Sequence, residues 1–455
     1  MRSRSVGPTA LNLILGLLAV GSVLMPAAAA AQPATDSTPA IDLAQAHILL
    51  DAAHRITAGD SGRFWGRSLD GPILLADPVT RAIVGSAADS GGVLTPRDGL
   101  FVGVLPAEQN IANTALDWGG RRWTMLIWPG IPAGRYARDR LLAHELFHRI
   151  QGELGLTPPV SDNGHLDSEA GRSWLRLEWR ALAEALLRRG AERQRAIEDA
   201  LAFRAHRHAR FPDRVDDERA LELGEGLAEY TGFALSGLPA WVLADRTAMQ
   251  LEIYDGHDSF VRSFAYASGP AYGVLLDEQG APWRRALTLE SDLGALLAHA
   301  ALGDRPVRDE GEDALLVRAA RYDGARVLAE EHARAARRAA RVADYRHRFL
   351  DGPALELPMA GTLRYSFDPT AAEALDGVGT IYPGARITDA WGVLTVESGG
   401  VLLGGAAGRV ERIVVAVAPG AATPPLAGEG WRLELATGWR VMRGARSGSW
   451  RVVRR

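Results

Sequence analysis

The chain has no cysteine and no lysine among its 455 residues. Without cysteine, disulfide bonds, thiolate metal sites and cysteine nucleophiles are all excluded. All 51 basic residues are arginine, which we attribute to coding bias rather than to a binding surface. The formal net charge of −4 gives no electrostatic sign of nucleic-acid binding, so we expect no nucleic-acid partner.

Long apolar runs are scarce, and the one that is present lies near the N-terminus. Two arginines precede an apolar run over 11–25, and the small residues Ala27–Ala31 follow it. This order is typical of a secretory signal peptide, which we predict over 1–31. An uncleaved anchor is the alternative, although the run is shorter than the roughly 20 residues that span a bilayer. We therefore expect a secreted or periplasmic protein with no stable membrane insertion after cleavage.

The remaining chain is long enough for two or three domains. Residues 32–130 predict an α/β region, whose best strand is Arg122–Trp128 and whose exposed strand edge can pair with an extended ligand. Helical spacing dominates 131–350. Over 354–455, glycine, valine and tryptophan increase in runs typical of strands. The predicted fold class is α+β, with a C-terminal all-β domain.

One helix of the central region carries the pattern H-E-x-x-H, in His144, Glu145 and His148. Residues four apart lie on one helical face, so both imidazoles can bind one metal ion. Glu145 lies beside them, where its carboxylate can accept a proton from water at the metal. The pattern is typical of zinc hydrolases, and we predict a Zn²⁺ cofactor. Leu142 and Leu146 belong to an apolar face that would bury this helix and hold the ligands rigidly. The alternative is a chance match of the pattern on an ordinary amphipathic helix.

Zinc in a hydrolytic site takes three protein ligands and leaves a fourth position open. In one class of such sites the third ligand is a histidine six residues after the second, but Leu154 stands there. We therefore look for a glutamate further along the chain.

The segment Glu225-Gly-Leu-Ala-Glu-Tyr230 resembles the third-ligand helix of the gluzincins, the zinc metallopeptidases of the thermolysin and aminopeptidase-N type. The resemblance implies a zincin-like catalytic region in which Glu225 is the third ligand. Glu229, one helical turn later, would then orient a ligating histidine. Tyr266-Ala-Ser-Gly269 is similar to a second element of the family. That similarity implies that the Tyr266 hydroxyl stabilises the oxyanion of the reaction intermediate.

The resemblance covers motifs between about 122 and 280. The chain departs from the family in three respects, one of which is the charged Arg149 directly after the second histidine, where the family usually has an uncharged residue. Glu225 lies 77 positions after His148, a longer spacing that requires two inserted helices. The segment by which aminopeptidases recognise a substrate amino terminus is missing. Glu178, 30 positions after His148, is the alternative ligand, but Leu182 stands where its second carboxylate would be expected. Glu225 is therefore favoured.

Arginine and histidine alternate over 204–210, within a highly charged segment of helical spacing. We expect these side chains to form a solvated helix face rather than a metal or phosphate site.

The sequence thus predicts an exported zinc-dependent hydrolase, specifically a peptidase, with a peptide or protein as substrate and Glu145 as general base. The alternative is a non-catalytic binding or scaffolding protein of the cell envelope, whose function would lie in its C-terminal β domain. Glu145 distinguishes the two hypotheses, because it would bind no metal and is needed for catalysis alone.

Overall fold

The computed structural model describes residues 41–455 apart from 281, 304, 306, 308, 309, 362, 368–371, 376 and 406–409. These residues form a mixed α+β protein with three sheets, which confirms the predicted class. The chain divides into two compact units, Met1–Glu331 and His332–Arg455. The predicted signal peptide lies outside the described residues. Within the described part of the chain, no helix has both the length and the apolar character to cross a membrane.

The first unit opens with helix α1, Leu43–Asp60, whose first turn is capped by the Asp42 side chain. A six-stranded sheet follows. Its strands are β1 Ile73–Ala76, β2 Ala82–Gly85, β3 Thr95–Arg97, β4 Leu100–Val104, β5 Thr114–Trp118 and β6 Arg121–Ile127. Their order in the sheet is β3-β4-β2-β1-β6-β5. Strands β1 and β6 are parallel and all other neighbours are antiparallel.

Strand β6 is buried on both faces. Its side chains alternate between two cores: Leu126 packs into the core shared with the helices, whereas Trp123 and Met125 pack into a smaller core on the opposite face. We expected β6, the clearest strand of this region in the sequence, to form an exposed edge of the sheet. That prediction is wrong, because β6 lies between β1 and β5. The strand at this edge of the sheet is β5. Both β5 and β6 pack against helix α2, Arg135–Gln151.

Between this sheet and the strands of the second unit the chain is mainly helical, and the boundary between the two units lies within the last long helix. In chain order the helices are α2 Arg135–Gln151, α3 Glu169–Leu187, α4 Gly190–Arg210, α5 Val215–Leu221, α6 Leu227–Leu235, α7 Ala240–Asp255, α8 Phe264–Glu278, α9 Leu293–Leu302, α10 Glu312–Ala319 and α11 Gly324–Arg346. Short 3₁₀ segments are Gly164–Asp167, Pro212–Arg214, Trp283–Ala286 and Ala320–Tyr322. Two π-helical turns are Glu222–Gly226 and His347–Asp351.

Helix α2 is held by the apolar face expected from its sequence. Leu142, Leu146, Phe147 and Ile150 are completely buried in the main core of the unit. The long helices α3 and α4, followed by the short α5, occupy the spacing between α2 and the turn that carries Glu225.

Charged side chains are buried between these inserted helices. Arg207 of α4 is fully buried and donates hydrogen bonds to Glu178 of α3 and Glu218 of α5. Arg204, one turn earlier, is 4% exposed. The predicted solvated face over 204–210 is therefore wrong for these arginines, because carboxylates on α3 and α5 face them and replace water as hydrogen-bond partners.

The second unit contains two sheets, the first of seven strands and the second of five. One core contains Leu355 from the first sheet and Ile387 from the second, so the two sheets pack face to face. Side chains alternate as expected for half-buried strands: Trp431 and Leu433 are buried, whereas Arg432 between them is exposed.

The strands of this unit are β7 Ala354–Pro358, β8 Arg364–Phe367, β9 Glu373–Leu375, β10 Gly379–Tyr382, β11 Ala385–Asp389, β12 Gly392–Val396, β13 Val401–Gly404, β14 Arg412–Ala416, β15 Ala427–Gly428, β16 Trp431–Leu435, β17 Trp439–Arg443 and β18 Trp450–Arg454. The strand order is β17-β18-β7-β14-β13-β10-β9 in the first sheet and β15-β16-β12-β11-β8 in the second.

The buried charge pairs predict a large stability effect at Arg207. Arg207→Ala removes a buried arginine that pairs with both Glu178 and Glu218, so we expect a loss of about 3–5 kcal/mol in unfolding free energy. Urea denaturation followed by far-UV circular dichroism measures this loss. Arg210→Ala is the matched control on the same helix, because Arg210 pairs with Glu312 at the surface and should contribute less than about 1 kcal/mol. Equal losses in the two variants would contradict this account.

Candidate metal centre

Two glycines set the spacing between the elements that form the site. A Cβ added to Gly226, at the end of the π-helical turn, would lie 3.1 Å from the Gly269 Cα of helix α8. A Cβ added to Gly269 would overlap the Gly226 backbone. The turn that carries Glu225 therefore lies directly against the helix that carries Tyr266. Any side chain at either glycine would separate them.

Three side chains converge at this point. The Nε2 atoms of His144 and His148 are 3.1 Å apart. The Glu225 Oε2 atom lies 3.6 Å from the His144 Nε2 and 3.5 Å from the His148 Nε2. His144, His148 and Glu225 are therefore close enough to bind one metal ion.

Each imidazole is oriented by a hydrogen bond at its other nitrogen. The Nδ1 of His144 lies 2.8 Å from the Glu229 Oε2, so the carboxylate accepts the Nδ1 proton. The Nδ1 of His148 lies 2.9 Å from the Gln151 Oε1, and the Gln151 amide donates to the Leu223 carbonyl, which fixes its orientation. Both Nε2 lone pairs are thereby directed at the same point, as metal ligation requires.

The Glu229 contact matches the role that the resemblance implies for this residue. Glu229 is itself compensated by Arg140, which forms an ion pair with it and lies 4.2 Å from the centre of the Phe233 ring. Burial alone would raise the pKa of Glu229, but Arg140 and His144 outweigh burial and lower that pKa. Glu229 therefore remains a charged acceptor for His144.

Glu145 differs from the other buried carboxylates of the site. It is 1% exposed, and its Oε1 lies 4.0 Å from the His144 Nε2. Its Oε2 has no hydrogen-bond partner among the described residues. Burial raises the pKa of Glu145, although the neighbouring histidines act in the opposite direction. An unpartnered buried carboxylate opposes folding and is typical of a group retained for chemistry.

Tyr266 lies over the same group of side chains. Its ring is stacked on His144, with the centroids 5.9 Å apart, and its hydroxyl donates to the Glu225 Oε2 at 2.7 Å. Burial raises the pKa of Tyr266, and the negative charge of Glu225 raises it further. The phenol therefore remains protonated and can donate a hydrogen bond.

The charges of the predicted ligands are strongly coupled. Burial would lower the pKa of His144, but hydrogen bonds with Glu225 and Glu229 outweigh it and raise that pKa to about 10. Burial would raise the pKa of Glu225, but the two histidines hold it well below its usual range. A metal ion must displace protons from such a site when it binds.

Glu178 does not take part in this group. It is fully buried, accepts a hydrogen bond from the Tyr272 hydroxyl at 2.6 Å and pairs with Arg207. The neighbouring Glu222 belongs to the same turn as Glu225 and receives two hydrogen bonds from Arg204, at 2.7 and 2.8 Å. The inserted helices therefore anchor the turn that carries Glu225.

Sequence reasoning missed three side chains around the site: Gln151, Arg140 and Arg262. Gln151 and Arg140 had a detectable signal, because they lie three positions after His148 and four positions before His144 on helix α2. Arg262 precedes helix α8, and nothing in its local sequence relates it to Glu225. The structure places its guanidinium 3.7 Å from the Glu225 Oε1.

The contact between the two glycines predicts a specific defect. In Gly269→Ala the new methyl group should push the π-helical turn away from α8, with a loss of about 1–3 kcal/mol in stability and weaker metal binding. Isothermal titration with zinc measures the binding. Gly59→Ala in helix α1 is the matched control, because its Cβ would meet no atom within 4 Å. Metal affinity equal to the unaltered chain's in Gly269→Ala would show that this contact does not position Glu225.

No protein-family model, curated protein or solved structure matches the chain.

Proposed function

We propose that the protein is an exported zinc-dependent peptidase of the gluzincin type, with a zincin-like catalytic region in the first unit. One observation carries the proposal: Glu145, with an unpartnered carboxylate oxygen, is buried beside the three converging side chains His144, His148 and Glu225. The export assignment rests on the N-terminal sequence alone. A scaffolding protein would have no need for a buried, unpartnered carboxylate, so this observation favours catalysis over the binding alternative.

The donor set supports zinc as the metal. Two imidazole nitrogens and one carboxylate oxygen form the ligand type of catalytic zinc sites. Zinc bonds of 2.0–2.1 Å in a tetrahedron require ligand atoms about 3.3 Å apart. The three ligand atoms here are separated by 3.1, 3.5 and 3.6 Å. His144, His148 and Glu225 would hold the ion, and the fourth position would remain open.

When bound, zinc would polarise the scissile carbonyl and lower the pKa of water. Glu145 would accept a proton from the attacking water and transfer it to the leaving amine. Its burial and raised pKa suit a group that must accept a proton from water. Tyr266 would donate a hydrogen bond to the oxyanion as the carbonyl becomes tetrahedral.

Strand β5 supports a peptide as the substrate. Among the described residues its backbone pairs with β6 alone, and it packs against α2, the helix of His144 and His148. The free backbone groups at a sheet edge can pair with an extended peptide. A peptide bound along β5 would lie next to the helix that carries the proposed general base.

Metal binding is the first test of this proposal. We expect one zinc ion per mature chain, lost in His144→Ala, His148→Ala and Glu225→Ala because each removes a ligand. Glu145→Gln should retain zinc and abolish peptide hydrolysis. Metal analysis of the purified variants, with a peptide-cleavage assay, measures both properties.

Glu178→Gln is the control for this test, because Glu178 pairs with Arg207 and lies outside the site. It should lower the melting temperature but retain zinc. Zinc at the level of the unaltered chain in both histidine variants would disprove the metal site, and loss of zinc in Glu178→Gln alone would disprove the choice of Glu225.

Tyr266 provides the second test. Tyr266→Phe keeps the ring on His144 and removes the hydroxyl, so kcat should decrease by about 10²–10³, the usual effect of losing one oxyanion donor. Zinc content should remain close to that of the unaltered chain. Tyr272→Phe on the same helix is the control: it loses a hydrogen bond to Glu178, so stability should decrease while turnover persists. Unchanged turnover in Tyr266→Phe would assign this residue to packing.

A further inference from the structure

We propose that Arg262 binds a carboxylate of the peptide substrate, supplied by its C-terminus or by an acidic side chain. The inference rests on the proposed function, since it names the class of peptide that the site accepts. It depends on the position, exposure and charge environment of Arg262.

Arg262 is an exposed cation at a largely buried site. Its side chain is 59% exposed, whereas that of Glu225 is 21% exposed and that of His144 is 4% exposed. The guanidinium lies 3.7 Å from the Glu225 Oε1, on the other side of the carboxylate from the oxygen that faces the histidines. A contact of 3.7 Å is too long for a hydrogen bond, and Arg262 donates none among the described residues. Its planar donor groups therefore remain for an incoming anion.

The other guanidinium beside the site is already paired. Arg140 forms an ion pair with the buried Glu229, and its side chain is 31% exposed, against 59% for Arg262. Of these two arginines, Arg262 is therefore the one that an incoming anion can reach.

A carboxylate matches the donor geometry of this guanidinium. A guanidinium can donate two parallel hydrogen bonds to a carboxylate, a geometry that a carboxamide cannot match. Because Arg262 lies two residues before helix α8 and contacts the carboxylate of Glu225, an anion held there would lie close to the reacting groups. Arg262 would therefore determine which peptides bind rather than how fast the bond is cleaved.

Binding to the zinc-loaded Glu145→Gln chain tests the inference without turnover. Three N-acetylated peptides of one sequence serve as probes: one with a free C-terminus, one amidated, and one amidated with a glutamate added. Isothermal titration should show that Arg262→Ala weakens binding of at least one carboxylate peptide about 10–100-fold, with less than about a threefold change for the amidated peptide. The peptide that responds identifies the source of the carboxylate.

The matched control is Arg135→Ala. Arg135 is 66% exposed and lies 3.7 Å from the Asp139 carboxylate, so it shares the exposure and pairing of Arg262 but lies two helical turns from His144. It should leave all three affinities unchanged. Equal affinity of the amidated and carboxylate peptides for the chain with Arg262 intact would overturn the inference. Failure of the chain to bind zinc would instead contradict the proposed function.

Discussion

The hydrogen bond between Glu229 and His144 joins the two helices on which the whole site depends. It fixes the imidazole so that its other nitrogen faces His148, and it brings α6 against α2. A buried carboxylate can make this bond only if its charge is compensated, and Arg140 supplies the compensation from one turn earlier on α2. Positioning and neutralisation of Glu229 therefore come from a single helix.

The inserted helices hold the remaining ligand in the same way. Glu225 lies in a π-helical turn, an irregularity that needs external support, and Arg204 holds Glu222 of that turn by two hydrogen bonds. Arg207 of the same helix pairs with Glu178 of α3. The buried ion pairs thus connect α3, α4 and the turn into one rigid support. Gly226 and Gly269 then set how closely the turn approaches α8.

The sequence predicted the parts that depend on local spacing. His144 and His148 lie on one face because a helix repeats every 3.6 residues, and the α+β class follows from two kinds of apolar periodicity. The position of β6 inside the sheet was not predictable, because strand order depends on pairing between distant segments. Burial of Arg207 was missed for the same reason: the carboxylates that neutralise it lie on other helices. Arg262 likewise depends on a tertiary contact with Glu225.

The buried charges of the first unit fall into two groups with different physical consequences. Arg207, Glu178 and Glu218 compensate one another, so their main effect is to fix how the helices pack. Among the described residues no partner compensates the Oε2 atom of Glu145, so its burial opposes folding. Four apolar side chains on its own helix, Leu142, Leu146, Phe147 and Ile150, are fully buried and act against that penalty. The helix can thus hold an unsatisfied carboxylate beside two imidazoles, where it is available to an incoming water molecule.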